Sequence, residues 1–248
     1  MTLLSPHVSS RILPPGVVAF LNRGRKALTE SSYRLLRERM VEEQILVRGV
    51  TSPGVLRVMR EVPRHCFVPG AHREQAYEDR PLPIGNRQTI SQPYIVALMT
   101  DLAKVDREAT VLEVGAGSGY QAAVLARLAR RVFALEHLAP LASRAGRRLK
   151  ELQFHNVEVG IGDGYLGWPE HQPYDAILAS AAIDHVPRAL LDQLKPEGRI
   201  VLPLARSFDS QVLVVVRKSA GGEGIEREVI PVRFVPFVRP GKQGNRRC

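Results

Sequence analysis

Strands and helices alternate along the chain from residue 110 onward, and this alternation constrains the fold more than any other feature. A short apolar run, TVLEVGAG, is followed by the helical pattern SGYQAAVLARLA, and RVFALE is followed by LAPLASRAGRRLKELQ. Further strands are predicted in NVEVGIGDG, YDAILASAA, RIVLPLA, QVLVVVRK and EREVIPVRFVPF. Such alternation predicts an α/β fold, a mostly parallel, doubly wound sheet with helices on both faces. Successive strands near the C-terminus predict an antiparallel edge.

The part before residue 110 is predicted to be largely helical. Residues 33–48 place apolar side chains among charges at helical spacing, and Pro53 opens a second helix in its first turn. The four prolines among residues 62–90 predict mostly loop and short extended structure there. Further along the chain, a turn is predicted at Lys195-Pro196-Glu197-Gly198. Ser91 stands where an N-cap would stand, ahead of a third apolar helix.

Three zones divide the chain by composition. Residues 1–32 are poor in acidic residues and contain several prolines, which favours a flexible extension over an organelle transit peptide. A single domain is expected over 33–240, with a helical, substrate-side part (33–105) and a cofactor-binding α/β part (106–240). A basic tail, 241–248, follows.

The net charge of +10 is concentrated at the two ends. Residues 1–32 carry a net charge of +3 and residues 239–248 carry +4, which leaves +3 for the 206 residues between them. Because basic tails attract polyanions weakly and without specificity, we expect no obligatory nucleic-acid partner. No stretch approaches the ~18 apolar residues of a membrane span. The two cysteines fit a reducing compartment, and we expect a soluble, cytoplasmic monomer without a membrane partner.

A glycine-rich segment, Glu113-Val114-Gly115-Ala116-Gly117-Ser118-Gly119, joins a predicted strand to a predicted helix. Glycine suits such a loop because a Cβ would block a ligand that approaches the backbone, and N–H groups at a helix start bind polar atoms. Glu136 ends the next strand, where a carboxylate accepts both hydroxyls of a ribose. Asp163 and Gly164 end the third strand, where Asp can accept from an adenine amine and Gly leaves room for the ring. These residues predict a nucleoside cofactor.

Two cofactors are compatible with this pattern, NAD and S-adenosylmethionine. The dinucleotide motif G-x-G-x-x-G would require a third glycine at the position of Tyr120. Glu113 would repel a pyrophosphate, whereas it would attract the ammonium and sulfonium groups of S-adenosylmethionine. A hydrogen-bond acceptor within the loop is the alternative role for Glu113. The residues therefore favour S-adenosylmethionine.

Several longer segments are similar to the signatures of one family. These are ERMVEEQILVRGV, VLRVMREVPRHCFVP, PLPIGNRQTISQPYIVALMTDL, VLEVGAGSGYQAAVLARL, GDGYLGWPEHQPYDAILASAA and VRFVPF. Over about residues 38–238 the chain resembles the protein-L-isoaspartate O-methyltransferases, and TISQP is its most discriminating motif. The resemblance implies a Rossmann-like methyltransferase fold with extra N-terminal helices. Asn86-Arg87 departs from the family, which more often has glycine-rich sequence there.

The resemblance also implies a reaction. A methyl group passes from S-adenosylmethionine to the free α-carboxyl of an L-isoaspartyl residue in damaged proteins and peptides, which would be the partners of this chain. The ester then collapses to a succinimide, which hydrolyses partly to normal aspartyl and so begins repair. In the family the serine of the TIS motif has the main catalytic role, and in this chain that serine is Ser91. The alternative role for Ser91 is a plain helix N-cap.

The candidate site combines the residues above with their neighbours. The substrate carboxylate, with a pKa of about 4, is already ionised at pH 7, so Ser91 need only orient it and no general base is required. Gln92 and Gln211 are candidate substrate-binding residues, and no metal-ligand spacing occurs. Cys66 is expected to be buried and inert. The candidate cofactor-binding residues are Thr89, Ile90, Glu113, Gly115, Gly117, Ser118, Gly119, Glu136, His137, Asp163 and Gly164.

Two other functions stay open from the sequence. One is a methyltransferase for RNA or a small molecule, and the other is a protein that binds S-adenosylmethionine without catalysis. Against an amino-directed enzyme, the fourth strand ends in Ser180-Ala181-Ala182 instead of the Asn/Asp-Pro-Pro-aromatic box that holds the amine of a flipped base.

Overall fold

A computed structural model of the chain describes residues 28–207 and 209–237. Most of the predicted extension 1–32 and all of the basic tail 241–248 lie outside the described residues. The helices are α1 (Glu30–Met40), α2 (Pro53–Glu61), α3 (Pro93–Ala103), α4 (Tyr120–Ala126), α5 (Ala139–Glu151) and α6 (Arg188–Asp192). The strands are β1 (Leu82–Gly85), β2 (Gln88–Ile90), β3 (Thr110–Val114), β4 (Arg131–Glu136), β5 (Val157–Ile161), β6 (Tyr174–Ala179), β7 (Leu194–Ala205), β8 (Gln211–Lys218) and β9 (Gly224–Val232).

Seven of the strands form one sheet in the order β5-β4-β3-β6-β7-β8-β9. The strands from β3 to β7 are parallel, and β8 and β9 run antiparallel at the edge. The predicted fold class and antiparallel edge are therefore confirmed. The order reverses at β3, which lies between β4 and β6, and a crevice opens outside the carboxyl ends of strands at such a point.

Two apolar clusters cover the two faces of this sheet, as the alternation of side chains along β3 shows. Val111 packs into the cluster that contains the apolar faces of α1 to α5. Leu112 and Val114 point to the opposite face, where Leu190 and Leu191 of α6 pack. Successive side chains of a strand face opposite ways, so both faces of β3 are buried. This explains why three of its five residues are aliphatic, and the other two, Thr110 and Glu113, are buried as well.

The N-terminal part is helical, as predicted, with a change of helix type. After Met40, α1 continues as a π-helical turn (Val41–Ile45) and a 3₁₀ turn (Leu46–Arg48). The segment expected to be loop instead contains two 3₁₀ turns, Arg64–Phe67 and Gly70–Gln75, before the β1–β2 hairpin. No helix among the residues described is long and apolar enough to cross a membrane.

Three local predictions are corrected by the structure. Ser91 is not the N-cap of α3: the cap is Gln92, and no side chain caps the helix, because the Gln92 amide is used elsewhere. The predicted turn at 195–198 lies within β7 as a bulge, since Tyr174 pairs with Leu194 while Ala176 pairs with Arg199. Cys66 is only half-buried.

Candidate active site

A cavity lies at the carboxyl edge of the sheet, where the strand order reverses. It encloses about 630 Å³, including space open to solvent. Its walls come from the ends of β3, β4 and β6, from the turn after β5, from the β1–β2 hairpin and from residues 235–237. Six predicted site residues line it: Thr89, Gly115, Gly117, Glu136, His137 and Gly164.

The glycine bend after β3 has the backbone that its sequence predicts. Gly115, Gly117 and Gly119 have φ angles of 90°, 52° and 84°, in the left-handed region that favours glycine. The N–H groups of Gly115 and Ala116 donate to Leu135 O at 2.8 and 3.1 Å, which ties the bend to β4. The Ser118 hydroxyl accepts from Tyr120 N at 3.2 Å and supports the first turn of α4. The backbone of this bend therefore forms the cavity wall.

Glu136 is fixed at the cavity by the backbone around it. Its Oε2 accepts from Gly117 N at 2.8 Å, and its Oε1 accepts from Leu138 N at 2.9 Å. The residue is 7% exposed. Because each carboxylate oxygen accepts more than one hydrogen bond, the group keeps free lone pairs toward the cavity. This geometry suits a ligand that presents hydroxyl groups.

Glu113 is positioned differently from Glu136, although both are buried acidic residues. It is 1% exposed, its nearest hydrogen-bonding backbone is that of Ala122 in α4, and it is absent from the cavity wall. Among the described residues its Oε2 has no hydrogen-bond partner. Burial, and to a smaller extent the charge of Glu136, raise the pKa of Glu113 well above its usual value. Burial therefore favours the protonated form of this carboxyl group.

The turn after β5 contributes two glycines to the cavity wall. Asp163 Oδ1 accepts from Tyr165 N at 2.9 Å, which fixes the turn, while Gly162 and Gly164 line the cavity. A Cβ on Gly164 would collide with Val114 and Phe237, and one on Gly162 would lie 3.0 Å from Leu135. Glycine at these two positions therefore lets the turn pack closely against Val114, Leu135 and Phe237 at the edge of the cavity.

The β1–β2 hairpin carries the TIS motif. Its two turn residues, Asn86 and Arg87, have φ angles of 52° and 57°, as a type I′ turn requires. Arg144 Nη2 of α5 donates to Asn86 Oδ1 at 2.9 Å and to Ile84 O at 3.3 Å. The hairpin thereby presents Thr89 to the cavity.

The residues that follow Thr89 have three different environments. Ile90 is 4% exposed and belongs to the apolar core. Ser91 is half-buried and lies outside the cavity wall, and within the described part of the chain nothing is hydrogen-bonded to its hydroxyl. Gln92 Nε2 donates to Asp79 O at 3.0 Å, which fastens the start of α3 to the preceding loop. The Ser91 hydroxyl is therefore free to bind another group.

Gln211 acts on the cavity through the chain beyond β9. Its Nε2 donates to Phe234 O at 3.1 Å, and its Oε1 accepts from Phe234 N at 2.6 Å. Beyond this clamp, the backbones of Val235 and Phe237 pair with Ala182 at 2.9 Å each, so residues 235–237 reach across to the end of β6. Gln211 therefore holds a cavity wall without lining it.

Several wall residues were not among the sequence predictions: Gln88, Leu138, Gly162, Ser180 and residues 235–237. Gly162 and Ser180 each follow a strand of the parallel sheet, and that position alone could have indicated them. Residues 235–237 reach the cavity only through long-range pairing, for which the sequence has no local signal. Among the described residues, no cluster of His, Cys, Asp or Glu could hold a metal ion.

Comparison with known proteins gives a consistent result. The family model for protein-L-isoaspartate(D-aspartate) O-methyltransferase matches residues 36–242. A protein-L-isoaspartate O-methyltransferase of Synechococcus sp. (strain JA-2-3B'a(2-13)) is 54% identical over 208 residues, which are 82% of this chain and 85% of the relative. The protein-L-isoaspartate O-methyltransferase 1 of Cupriavidus necator is 56% identical over 191 residues, 77% of this chain and 74% of the relative.

Solved structures agree with these relatives. A protein-L-isoaspartate O-methyltransferase superposes with a TM-score of 0.75 at 28% identity, covering 86% of this chain and 67% of that one. A Plasmodium falciparum protein assigned to the same family, solved in complex with S-adenosyl-L-homocysteine, shares the fold, with a TM-score of 0.70 at 23% identity over 82% of this chain and 98% of that one. The chain belongs to the protein-L-isoaspartate O-methyltransferase family.

Proposed function

We propose that this protein transfers a methyl group from S-adenosylmethionine to the free α-carboxyl of L-isoaspartyl residues in damaged proteins and peptides. Family membership over most of the chain supports this activity. The single structural observation that carries it is the cavity at the strand switch point, where the glycine bend and Glu136 face Thr89 of the TIS hairpin. A cofactor wall and a substrate wall thus meet in one space.

The residues of the cavity fit the cofactor. Glu136 would accept the ribose hydroxyls, and the adenine would lie beside Gly162 and Gly164, which line the same cavity. The glycine bend would lie along the methionine portion. When bound, S-adenosylmethionine supplies an electrophilic methyl group on a sulfonium. Glu113 is hydrogen-bonded toward α4 and lies outside the cavity wall, so a direct ion pair with the ammonium group would need its side chain to turn.

The chain's own task in this reaction is placement, because an ionised carboxylate needs no base to attack a methyl carbon. In-line placement of two reacting groups contributes strongly to rate. The Ser91 hydroxyl would donate one hydrogen bond to the substrate carboxylate and orient it without neutralising it. An anion and a sulfonium become neutral products, so exclusion of water by the hairpin and by residues 235–237 favours the transition state over the separated ions.

The decisive experiment uses two peptides of one sequence that differ only in an isoaspartyl or an aspartyl linkage. With methyl-labelled S-adenosylmethionine, we expect base-labile label on the isoaspartyl peptide alone. RNA is included as a third substrate. Label on RNA, or equal label on both peptides, would contradict the proposal. Cofactor binding without transfer to any substrate would instead identify a non-catalytic binding protein.

Further properties form part of the same proposal. The substrates are proteins with isoaspartyl damage, no nucleic acid or membrane is required, and the enzyme works as a monomer in the cytoplasm. The basic character belongs mostly to the chain ends, which supports the absence of a nucleic-acid binding face. Light scattering at micromolar concentration should give the mass of one chain, 27.5 kDa.

A further inference from the structure

A second cavity adjoins the first on the other side of the β1–β2 hairpin. It encloses about 460 Å³, including space open to solvent, and shares Gly117 with the first cavity. Its floor is apolar, from the buried side chains of Phe67, Ile84 and Leu141. Arg144 and Arg148, one turn apart on α5, form its charged wall. The space thus combines an apolar floor with two guanidinium groups.

The positive charge of this wall is not neutralised within the described part of the protein. Arg144 donates only to the hairpin, through Asn86 Oδ1 and Ile84 O. Arg148 Nη1 donates to Ser118 O at 2.8 Å, and its guanidinium lies 5.9 Å from the centre of the Phe67 ring. Neither group has a carboxylate within 4.0 Å among the described residues. Arg39, Arg57 and Arg60 all have one.

The two like charges also affect each other. Burial first, and then the neighbouring charge of Arg144, lower the pKa of Arg148. Two adjacent guanidinium groups, one of them half-buried, repel each other, and an anion bound between them would relieve this repulsion. Arginine presents paired N–H donors that match the two oxygens of a carboxylate. The wall is therefore suited to an anionic group of that size.

We propose that this second cavity binds the carboxylate of an acidic side chain close in sequence to the isoaspartyl residue of the substrate polypeptide. The inference rests on the proposed function. Because the cavities meet at Gly117, an extended chain that rises about 3.3 Å per residue could occupy both within a few residues. The apolar floor would take the methylene groups of the acidic side chain.

A substrate side chain fits this cavity better than a nucleic acid would. Phosphate backbones are bound by rows of exposed cations, and affinity rises with the number of phosphates contacted. Here two arginine side chains line one side of a pocket that has an apolar floor. A single carboxylate on a short aliphatic stem satisfies both features of the site.

The test is a set of isoaspartyl peptides in which glutamate replaces glutamine at one position at a time, from three residues before to three after the damaged residue. The measured quantity is the ratio of kcat/KM for each Glu peptide to that of its Gln partner. We expect a ratio of about two to five at one or two positions, the upper part of the range for partly exposed ion pairs. Elsewhere the ratio should be close to one.

Arg144→Gln should bring the preferred ratio close to one, and Arg144→Lys should keep part of it. Because each ratio compares two peptides on one variant, a general loss of folding or activity cancels. Arg147→Gln is the matched control. It removes the same charge from an exposed position on the same helix, outside the cavity wall, and should keep the ratio.

Three results would overturn the inference. The ratio could be the same at every position, or it could survive Arg144→Gln. It could also fall equally in Arg147→Gln, which would assign the preference to the overall positive charge. Failure of the proposed function is separate from these, since the Gln peptides themselves would then accept no methyl group from the wild-type protein.

Discussion

The proposed cofactor side and the proposed substrate side of the cavity hold their residues by different means. On the cofactor side the wall is backbone: the glycine bend is tied to β4 by N–H groups, and Glu136 is fixed by Gly117 and Leu138. On the substrate side the hairpin and the start of α3 are held by side chains, through Arg144 and Gln92. Backbone N–H donors remain after most substitutions, whereas a side-chain donor is lost when its residue is replaced.

This difference predicts how variants divide. Changes on the cofactor side should mainly alter cofactor affinity, and changes on the substrate side should mainly alter turnover. The largest effect is expected for Ser91→Ala, since loss of one hydrogen-bond donor at a reacting group costs about 100-fold in kcat. The dissociation constant of S-adenosylmethionine, measured by calorimetry, should stay within a few-fold. Ser52→Ala is the control, because Ser52 also precedes a helix-opening proline without capping by its side chain.

Unchanged turnover in Ser91→Ala would remove the catalytic role from this serine. It would leave the TIS motif with a purely structural part in the hairpin.

Glu136→Gln tests the cofactor side. An amide has one acceptor oxygen, so it cannot accept from Gly117 N and Leu138 N and also bind ribose hydroxyls as the carboxylate can. We expect cofactor binding to weaken by about 1–3 kcal/mol, the value for charged hydrogen bonds. Titration calorimetry measures this directly. Glu158→Gln, at an exposed ion pair with Arg131, should leave the affinity unchanged, and an equal affinity in both variants would exclude the ribose role.

Gln211→Ala should have an effect between those of Ser91→Ala and of the cofactor-side variants in kind, because Gln211 holds a cavity wall without lining the cavity. Loss of its two hydrogen bonds to Phe234 should raise the KM for S-adenosylmethionine by about five-fold, equivalent to about 1 kcal/mol, with a smaller change in kcat. Gln211→Glu keeps the acceptor for Phe234 N but loses the donor, so we expect partial recovery. If KM did not move in either variant, residues 235–237 would not depend on this clamp.

Glu113→Gln should have the smallest effect on activity among these variants. Its distinctive effect should be on the pH dependence of folding stability. The folded-state pKa of Glu113 is raised, so the folded protein retains a proton that the unfolded chain releases above its usual pKa. Stability of the wild type without cofactor should therefore decrease as pH rises from about 4.5 toward the raised pKa, by up to about 1.4 kcal/mol per pH unit. Glutamine carries no charge, and the variant should lose this slope in urea unfolding. Parallel slopes for both proteins would mean that Glu113 ionises freely when folded.

The sequence was sufficient where local patterns determine the structure. Strand–helix alternation predicted the sheet and its antiparallel edge, and the glycines predicted a bend whose backbone has positive φ angles. It was insufficient where long-range contacts decide. The N-cap prediction for Ser91 was wrong because Gln92 bonds to Asp79, and the wall at residues 235–237 forms through Gln211 and Ala182. Neither contact leaves a periodic signal.

The turn at Asn86 and Arg87 has a further consequence for substrate entry. A left-handed conformation costs an ordinary residue such as Arg87 about 1–2 kcal/mol, so this turn does not hold its shape by intrinsic preference. Its main external tie is the exposed guanidinium of Arg144. A substrate carboxylate bound at Arg144 would share the guanidinium that holds this turn. Occupancy of the second cavity would therefore be coupled to the position of the TIS motif.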